Sequence, residues 1–208
     1  MKLPVLLTEH RSWVAVHKPA GMLVEKHPAF PSVEAWLEQH LLHTGSRKPF
    51  VGVVHRLDRP VNGVLLMAKK RSSLKFLNDQ FARKRVQKFY RATVSQLPEP
   101  REGKLLHFLK KDARLKRAVV VGSASGAARS ELRYRFLQEN EFGYELEILP
   151  LSGRYHQIRA QLSAAGFPIL GDEKYGGSPW NEPGAIALRA QRLIFTDPET
   201  QERTTVSL

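Results

Sequence analysis

Two short apolar runs bracket a polar turn in the first third of the chain. Val51 to Val54 leads into His55-Arg56-Leu57-Asp58, then come Pro60, Asn62 and Gly63, and Val64 to Ala68 leads away. The pattern predicts strand, turn, strand. Upstream, Trp13 to His17 predicts a short strand that runs into a Pro- and Gly-bearing turn, Lys18 to Met22. Ser32 is placed to cap a helix reaching about Leu42, with Val33, Trp36, Leu37 and Leu41 on one face. Thr44 to Pro49 is a polar, basic loop. Ser72 or Ser73 is expected to cap a second helix, in which Leu74, Leu77 and Phe81 recur at helical spacing. Its far end carries Arg83, Lys84, Arg85 and Lys88, more cations than a helix dipole can use, and reads as a phosphate-contacting end.

Period-two patterning dominates the second half. Lys88 to Val94 predicts a strand carrying Tyr90. Leu97 to Lys104 is a connection, and Lys104 to Arg117 interleaves basic residues with His107 and Phe108, which suits either a surface that tracks a nucleic-acid backbone or a solvated loop. Ser123 to Ala128 is small and reads as flexible. Leu132, Tyr134 and Phe136 alternate with Glu131, Arg133 and Arg135, and Tyr144, Leu146 and Ile148 alternate with Glu145 and Glu147. This predicts a half-exposed antiparallel pair joined by a hairpin over 138–143. Ile158, Leu162 and Ala165 then line a short helix that stops at Gly166, with Pro168 beyond it. Tyr155 and Arg159, four apart, are expected on one helical face. Gly171 to Gly177 is a turn. Leu188 to Phe195 and Thr204 to Leu208 are closing strands around a turn at 197–200. With no internal repeat and no marked linker, residues 1–208 are expected to form one α+β domain with a mixed, mainly antiparallel sheet and flanking helices.

Composition narrows the chemistry. The chain has 208 residues, 42% hydrophobic and 25% charged, as globular proteins do. It has no cysteine, which excludes disulfides, thiolate zinc sites and a cysteine nucleophile, and fits a reducing, cytoplasmic setting. The apolar patch at the N-terminus is too short for a signal peptide, and no run approaches membrane-spanning length. Lys and Arg outnumber Asp and Glu by 33 to 20, a net charge of +13 that points to a polyanionic partner, nucleic acid above all. The eight His residues form no HExxH, and neither a P-loop, GxGxxG nor GxSxG occurs.

What remains is a carboxylate, Asp58, between Arg56 and Arg59. An Asp in a turn is ordinary, but flanking cations favour its charged form, which suits nucleophilic attack or proton abstraction. The polar start of the last helix, Arg154, His156, Gln157 and Arg159, is more than a buried helix can use, although an exposed one could solvate it.

These segments, in this order, resemble the RluA family of pseudouridine synthases. The resemblance rests on His55-Arg56-Leu57-Asp58 with Gly63, on Lys88-Phe89-Tyr90-Arg91-Ala92, and on Gly153-Arg154-Tyr155-His156-Gln157-Ile158-Arg159 leading to Gly166 and Gly171-Asp172. His17-Lys18-Pro19-Ala20-Gly21 is a further shared feature. It implies a mostly antiparallel sheet with a central RNA-binding cleft, and isomerisation of uridine to pseudouridine in structured tRNA or rRNA without cofactor or metal. By the same resemblance Asp58 is the catalytic carboxylate, Tyr90 stacks on the flipped uracil and Arg159 pairs with Asp58. Arg56 helps hold the RNA open, and Arg59, Lys88, Arg154, His156 and Gln157 are further RNA-binding candidates. A monomer is expected. Val61-Asn62 stands where many relatives have Thr-Ser, and Tyr155 where Thr is usual. The S4-type RNA-binding domain present in some members is not expected here, so target selection is expected to fall to the catalytic domain, notably Lys104 to Arg117. Two readings compete: an inactive RNA-binding or assembly protein using the same basic surface, and a metal-dependent nuclease, which would need clustered carboxylates near Asp58.

Overall fold

A computed structural model describes residues 2–123 and 126–208. Part of the small-residue run read as flexible, residues 124 and 125, lies outside the described residues. The chain forms two compact units, one from residues up to Lys88 together with Arg189–Leu208, the other from Phe89–Leu188. Among the described residues no helix is long and apolar enough to cross a membrane.

In the first unit the strands are β1 (Val5–Glu9), β2 (Trp13–Lys18), β3 (Gly52–Val53), β4 (Asn62–Ala68), β10 (Leu188–Thr196) and β11 (Arg203–Ser207). β4 pairs antiparallel with β2 and β3 and parallel with β10, and β11 closes antiparallel on β10. The parallel step brings Gly63 opposite Ala190 so closely that a Cβ on Gly63 would lie 2.3 Å from the Ala190 carbonyl oxygen. Its φ of +127° is also one that L side chains avoid. Helices α1 (Val33–His43) and α2 (Arg71–Ala82) belong to this unit. Its core gathers Trp13, Ala15, Val64, Leu66, Leu77, Leu193 and Phe195. The Trp13 indole N–H donates to Asp197 at 2.7 Å, so the largest core side chain keeps its polar atom satisfied. Gln80 of α2 is buried and exchanges two hydrogen bonds with the Thr196 backbone, both 2.8 Å.

The second unit is an antiparallel sheet in the order β5-β9-β8-β6-β7, with β5 (Gln87–Val94) entering from the first unit. The others are β6 (Glu102–Asp112), β7 (Arg117–Val121), β8 (Ala128–Asn140) and β9 (Gly143–Pro150). α3 (Gln157–Ala164) packs on β6 and β7 through Ala160, beside Leu109, Ala118 and Tyr175.

The expected α+β class and mainly antiparallel sheet are what the structure contains. Four local expectations are corrected. The N-cap of α2 is Lys70, with no side-chain cap, because β4 runs almost directly into the helix; Ser72 and Ser73 lie inside it. α2 ends at Ala82, so Arg83, Lys84 and Arg85 follow the helix and Lys88 stands on β5. Lys104 to Arg117 is no loop: it is most of β6, a four-residue turn and the start of β7. Tyr155 and Arg159 do not share a helical face, since His156 adopts left-handed φ (50°) and the helix begins only at Gln157.

Candidate active site

Asp58 sits on the loop between β3 and β4. Val54, Leu57 and Val61 point inward and are buried, Arg56 and Arg59 are exposed, and Asp58 is half-buried between them. The Asp58 carbonyl accepts the Val61 N–H at 3.0 Å, which closes the turn. The loop is fastened to the Lys18–Met22 turn from both sides. Gly21 N–H donates to the Arg59 carbonyl at 2.8 Å, and Arg59 Nε donates to the Gly21 carbonyl at 3.0 Å. The Arg59 guanidinium lies 4.5 Å from the centre of the Phe30 ring. Arg56 reaches Glu25 at 3.3 Å, an exposed pair that contributes little.

The tie at the centre of this arrangement is Lys18, to which the sequence pattern assigns no role. It is fully buried, and its ammonium donates to the carbonyls of Met22 (2.8 Å), Pro19 (2.9 Å) and Arg59 (3.3 Å). Burial pushes its pKa down to about 7, opposed by the charge of Asp58 and reinforced by Arg59. The signal was available: a lysine closing an apolar strand just before Pro-Ala-Gly.

His55, from the same motif, is internal in its role. Its Nε2 accepts the Leu66 N–H at 3.0 Å and its ring stacks on Phe81 at 4.9 Å. Burial, with a smaller contribution from Lys88, pushes its pKa down to about 3, so the ring is neutral. Lys88 is half-buried, and burial lowers its pKa too.

The second unit holds Tyr90 and the start of α3. Tyr90 is half-buried on β5 opposite Ile148, which is itself opposite Tyr134, so the three share one face of the sheet. The polar start of α3 was expected to be incompatible with burial, and the structure resolves this differently. Gln157 is 4% exposed. Its Oε1 accepts from the Ser152 hydroxyl (2.9 Å) and the Arg154 N–H (3.0 Å), and its Nε2 donates to the Glu131 carbonyl (3.0 Å). An amide so engaged holds the segment in place, with one Nε2 hydrogen left over. Arg159 is 5% exposed and forms a bidentate pair with Asp172, Nε to Oδ2 at 2.7 Å and Nη2 to Oδ1 at 2.8 Å. In sequence Asp172 stands only as part of a motif; its partnership with Arg159 across the turn leaves no local pattern. His156 Nδ1 bonds the Tyr175 hydroxyl at 3.0 Å, and Arg154 is exposed. The structure thus places Asp58, Arg56, Arg59 and Lys88 in the first unit and Tyr90, Arg154, His156, Gln157 and Arg159 in the second.

Comparison with known proteins points one way. Over 98% of its length the chain shares its fold with the structure of human RNA Pseudouridylate Synthase Domain Containing 4 (TM-score 0.82, 21% identity, 87% of that chain covered). A family model described as RNA pseudouridylate synthase matches residues 12–164. A tRNA pseudouridine synthase C from Pasteurella multocida (strain Pm70) is 33% identical over 216 residues, spanning 93% of this chain and 86% of the relative. A ribosomal large subunit pseudouridine synthase C from Escherichia coli (strain K12) is 36% identical over 211 residues, spanning 95% of this chain but only 64% of the relative. The fold is therefore of the pseudouridine synthase class. The chain belongs to the RNA pseudouridylate synthase family, as the motif resemblance implied.

Proposed function

We propose that this chain is an active RNA pseudouridine synthase, acting on uridine in structured tRNA or rRNA with Asp58 as its catalytic carboxylate. Isomerisation breaks the bond from the sugar C1′ to uracil N1, turns the base and forms a bond from C1′ to C5. N1 gains a proton and the C5 hydrogen leaves to solvent. The base must first leave its stack, at about a few kcal/mol. Tyr90 recovers roughly 1–3 kcal/mol of that by stacking. Asp58 attacks the sugar or takes its 2′ proton; both routes require the ionised form. Arg159 completes the catalytic set. Arg56, Arg59, Lys88, Arg154, His156 and Gln157 contact RNA, Gln157 through the amide hydrogen its anchoring leaves over.

The observation that carries this reading is the loop of Asp58. A fully buried lysine donates to three backbone carbonyls to hold the loop and its neighbouring turn, with Asp58 set between two outward arginines. A protein that only binds RNA gains nothing from a carboxylate fixed among the cations that meet phosphates. The reading also takes the two units as one catalytic domain that works as a cytoplasmic monomer, without metal or cofactor.

The test is tritium release from C5-labelled uridine in tRNA and rRNA transcripts, with wild-type protein and Asp58→Asn side by side, both in excess chelator. Release by wild type, reduced at least about 10³-fold in the variant, is expected. Equal release from both would remove Asp58 from the chemistry. No release from either, with RNA still bound, would make the chain a binding protein.

A further inference from the structure

We propose that the turn between β6 and β7 is a second phosphate-contacting element, held in a fixed conformation by Tyr155 in the segment that leads into α3. The inference rests on the reading of the chain as an RNA-modifying enzyme, and adds how it grips RNA away from the reacting nucleotide.

Residues 110–117 carry five cations, Lys110, Lys111, Arg114, Lys116 and Arg117, and one carboxylate, Asp112. Asp112 accepts the Leu115 N–H at 2.9 Å and so shapes the turn. Elsewhere in this unit four cations on the sheet meet carboxylates: Arg91 meets Glu145, Arg135 meets Glu147, and Lys104 and Arg129 both meet Glu131. Such ladders are close to neutral and suit water. Among the described residues no carboxylate pairs with Lys110, Arg114 or Lys116, and all three are exposed.

A merely solvated turn needs no fastening, yet this one is tied down along its second half. Lys116 adopts a left-handed φ of 47°. Its carbonyl accepts from the Tyr155 hydroxyl (3.1 Å) and from Lys174 Nζ (3.2 Å). Arg117 donates to the Lys174 carbonyl at 3.4 Å, and Ala118 N–H donates to the Tyr175 hydroxyl at 2.7 Å. The Tyr155 ring stacks on His156 at 3.9 Å and has Lys111 Nζ 5.1 Å from its centre. Tyr155 is thus a post that joins the turn to the His156 segment. With His156 and Lys111 against its ring, it is not a platform for a base, so the occupant is the RNA sugar–phosphate backbone. Cations held in position before binding lose less freedom on meeting phosphate than cations on a mobile loop. Phosphate contacts set register and affinity and leave sequence to other groups.

The experiment uses the full chain, an unmodified tRNA transcript, and three variants: Lys110→Ala/Arg114→Ala, Tyr155→Phe, and the combination. Binding is measured from low to high salt, and tritium release alongside it. The double variant is expected to bind more weakly, with a log–log salt slope smaller by about two, and to raise KM while kcat holds. Tyr155→Phe keeps every charge and removes one hydrogen bond; it is expected to lose affinity by several-fold alone and by nothing further in the combination. A salt slope and affinity in the double variant equal to wild type overturn the proposal. If wild type then still releases tritium, the isomerase reading stands without this element. A reduced slope with no tritium release upholds the phosphate contact while the isomerase reading fails.

Discussion

The Asp58 loop and the start of α3 are both dense in polar residues, and they use them in opposite ways. On the loop, Arg56 and Arg59 point outward, the apolar Val54, Leu57 and Val61 point inward, and the backbone is held by a lysine from another segment. At α3 the polar side chains themselves go inside: Gln157, Arg159 and Gln161 are all buried. Gln161 Nε2, for example, reaches the carbonyls of Leu105 and Ser130 at 3.1 Å. The difference follows from backbone chemistry. A loop has carbonyls with no partner of its own, so something must come to them. A helix satisfies its own backbone and frees its side chains to tie neighbouring strands together. Polar density alone therefore does not mark a ligand-facing surface. On α3 it marks a scaffold, from which Arg159 is presented in a fixed orientation.

The sharpest way to break this contrast is Asp172→Asn. It leaves the Arg159 guanidinium buried with its bidentate partner neutralised, and losing one member of such a pair costs about 3–5 kcal/mol. Urea denaturation should show that loss. Asp58→Asn, on a half-buried group of the loop, should move stability by well under half as much while removing turnover. Comparable stability losses in the two variants would mean that Asp58 too is a structural tie.

Next in size is Lys18→Met. The change keeps the apolar stem and strands three carbonyls, for a loss of about 2 kcal/mol. A purely structural role stops there. If Lys18 positions Asp58, kcat falls further than the folded fraction does, while RNA affinity, set by exposed cations, holds. Lys18→Arg brings a larger, planar head into a fully buried site and should not restore the rate. Loss of RNA affinity in parallel with kcat would place Lys18 in the binding of RNA and remove the distinction.

How far these two regions could be read from sequence depends on what kind of contact holds them. Strands β8 and β9 and helices α1 and α3 were legible because burial imposes period two or period 3.6 on neighbouring residues, and β2 because it is an apolar run buried on both faces. The cap of α1 was legible too, since Ser32 accepts the Ala35 N–H at 3.2 Å as its position suggested. β1 went unrecognised because Val5 to Glu9 is half-exposed and does not alternate cleanly. β3 proved only two residues long, since from Val54 the chain turns to bury Val54 and Leu57. Asp58, Tyr90 and Arg159 stand in motifs, and that made them legible as candidates. Lys18 and Asp172 had no role assigned because their partners are backbone carbonyls or a side chain brought near by the fold, and neither leaves a local pattern. The anchoring of Gln157 is hidden for the same reason: its three partners come from 131, 152 and 154, and only the fold brings them together.

The smallest effect concerns His55, which shares the loop's motif but behaves as α3 does, turning a polar group inward. Its ring is neutral, accepting the Leu66 N–H, with a pKa pushed down to about 3 by burial and then by Lys88. In the unfolded chain a histidine takes up a proton near pH 6.5. The unfolded state therefore binds more protons than the folded state between about pH 6.5 and 3. The stability associated with a neutral His55 is complete above that window and is lost as pH falls through it, by up to about 1.4 kcal/mol per pH unit. His55→Asn has no group that titrates there. It should be less stable than wild type at pH 7, having lost the stack on Phe81, and should lose less than wild type on going to pH 5. Urea denaturation of both proteins at the two pH values isolates this term, because every other titrating group is common to the pair. Parallel losses would mean that the ring takes up its proton within the fold, and that its hydrogen bond to Leu66 is not what fixes the strand beside the Asp58 loop.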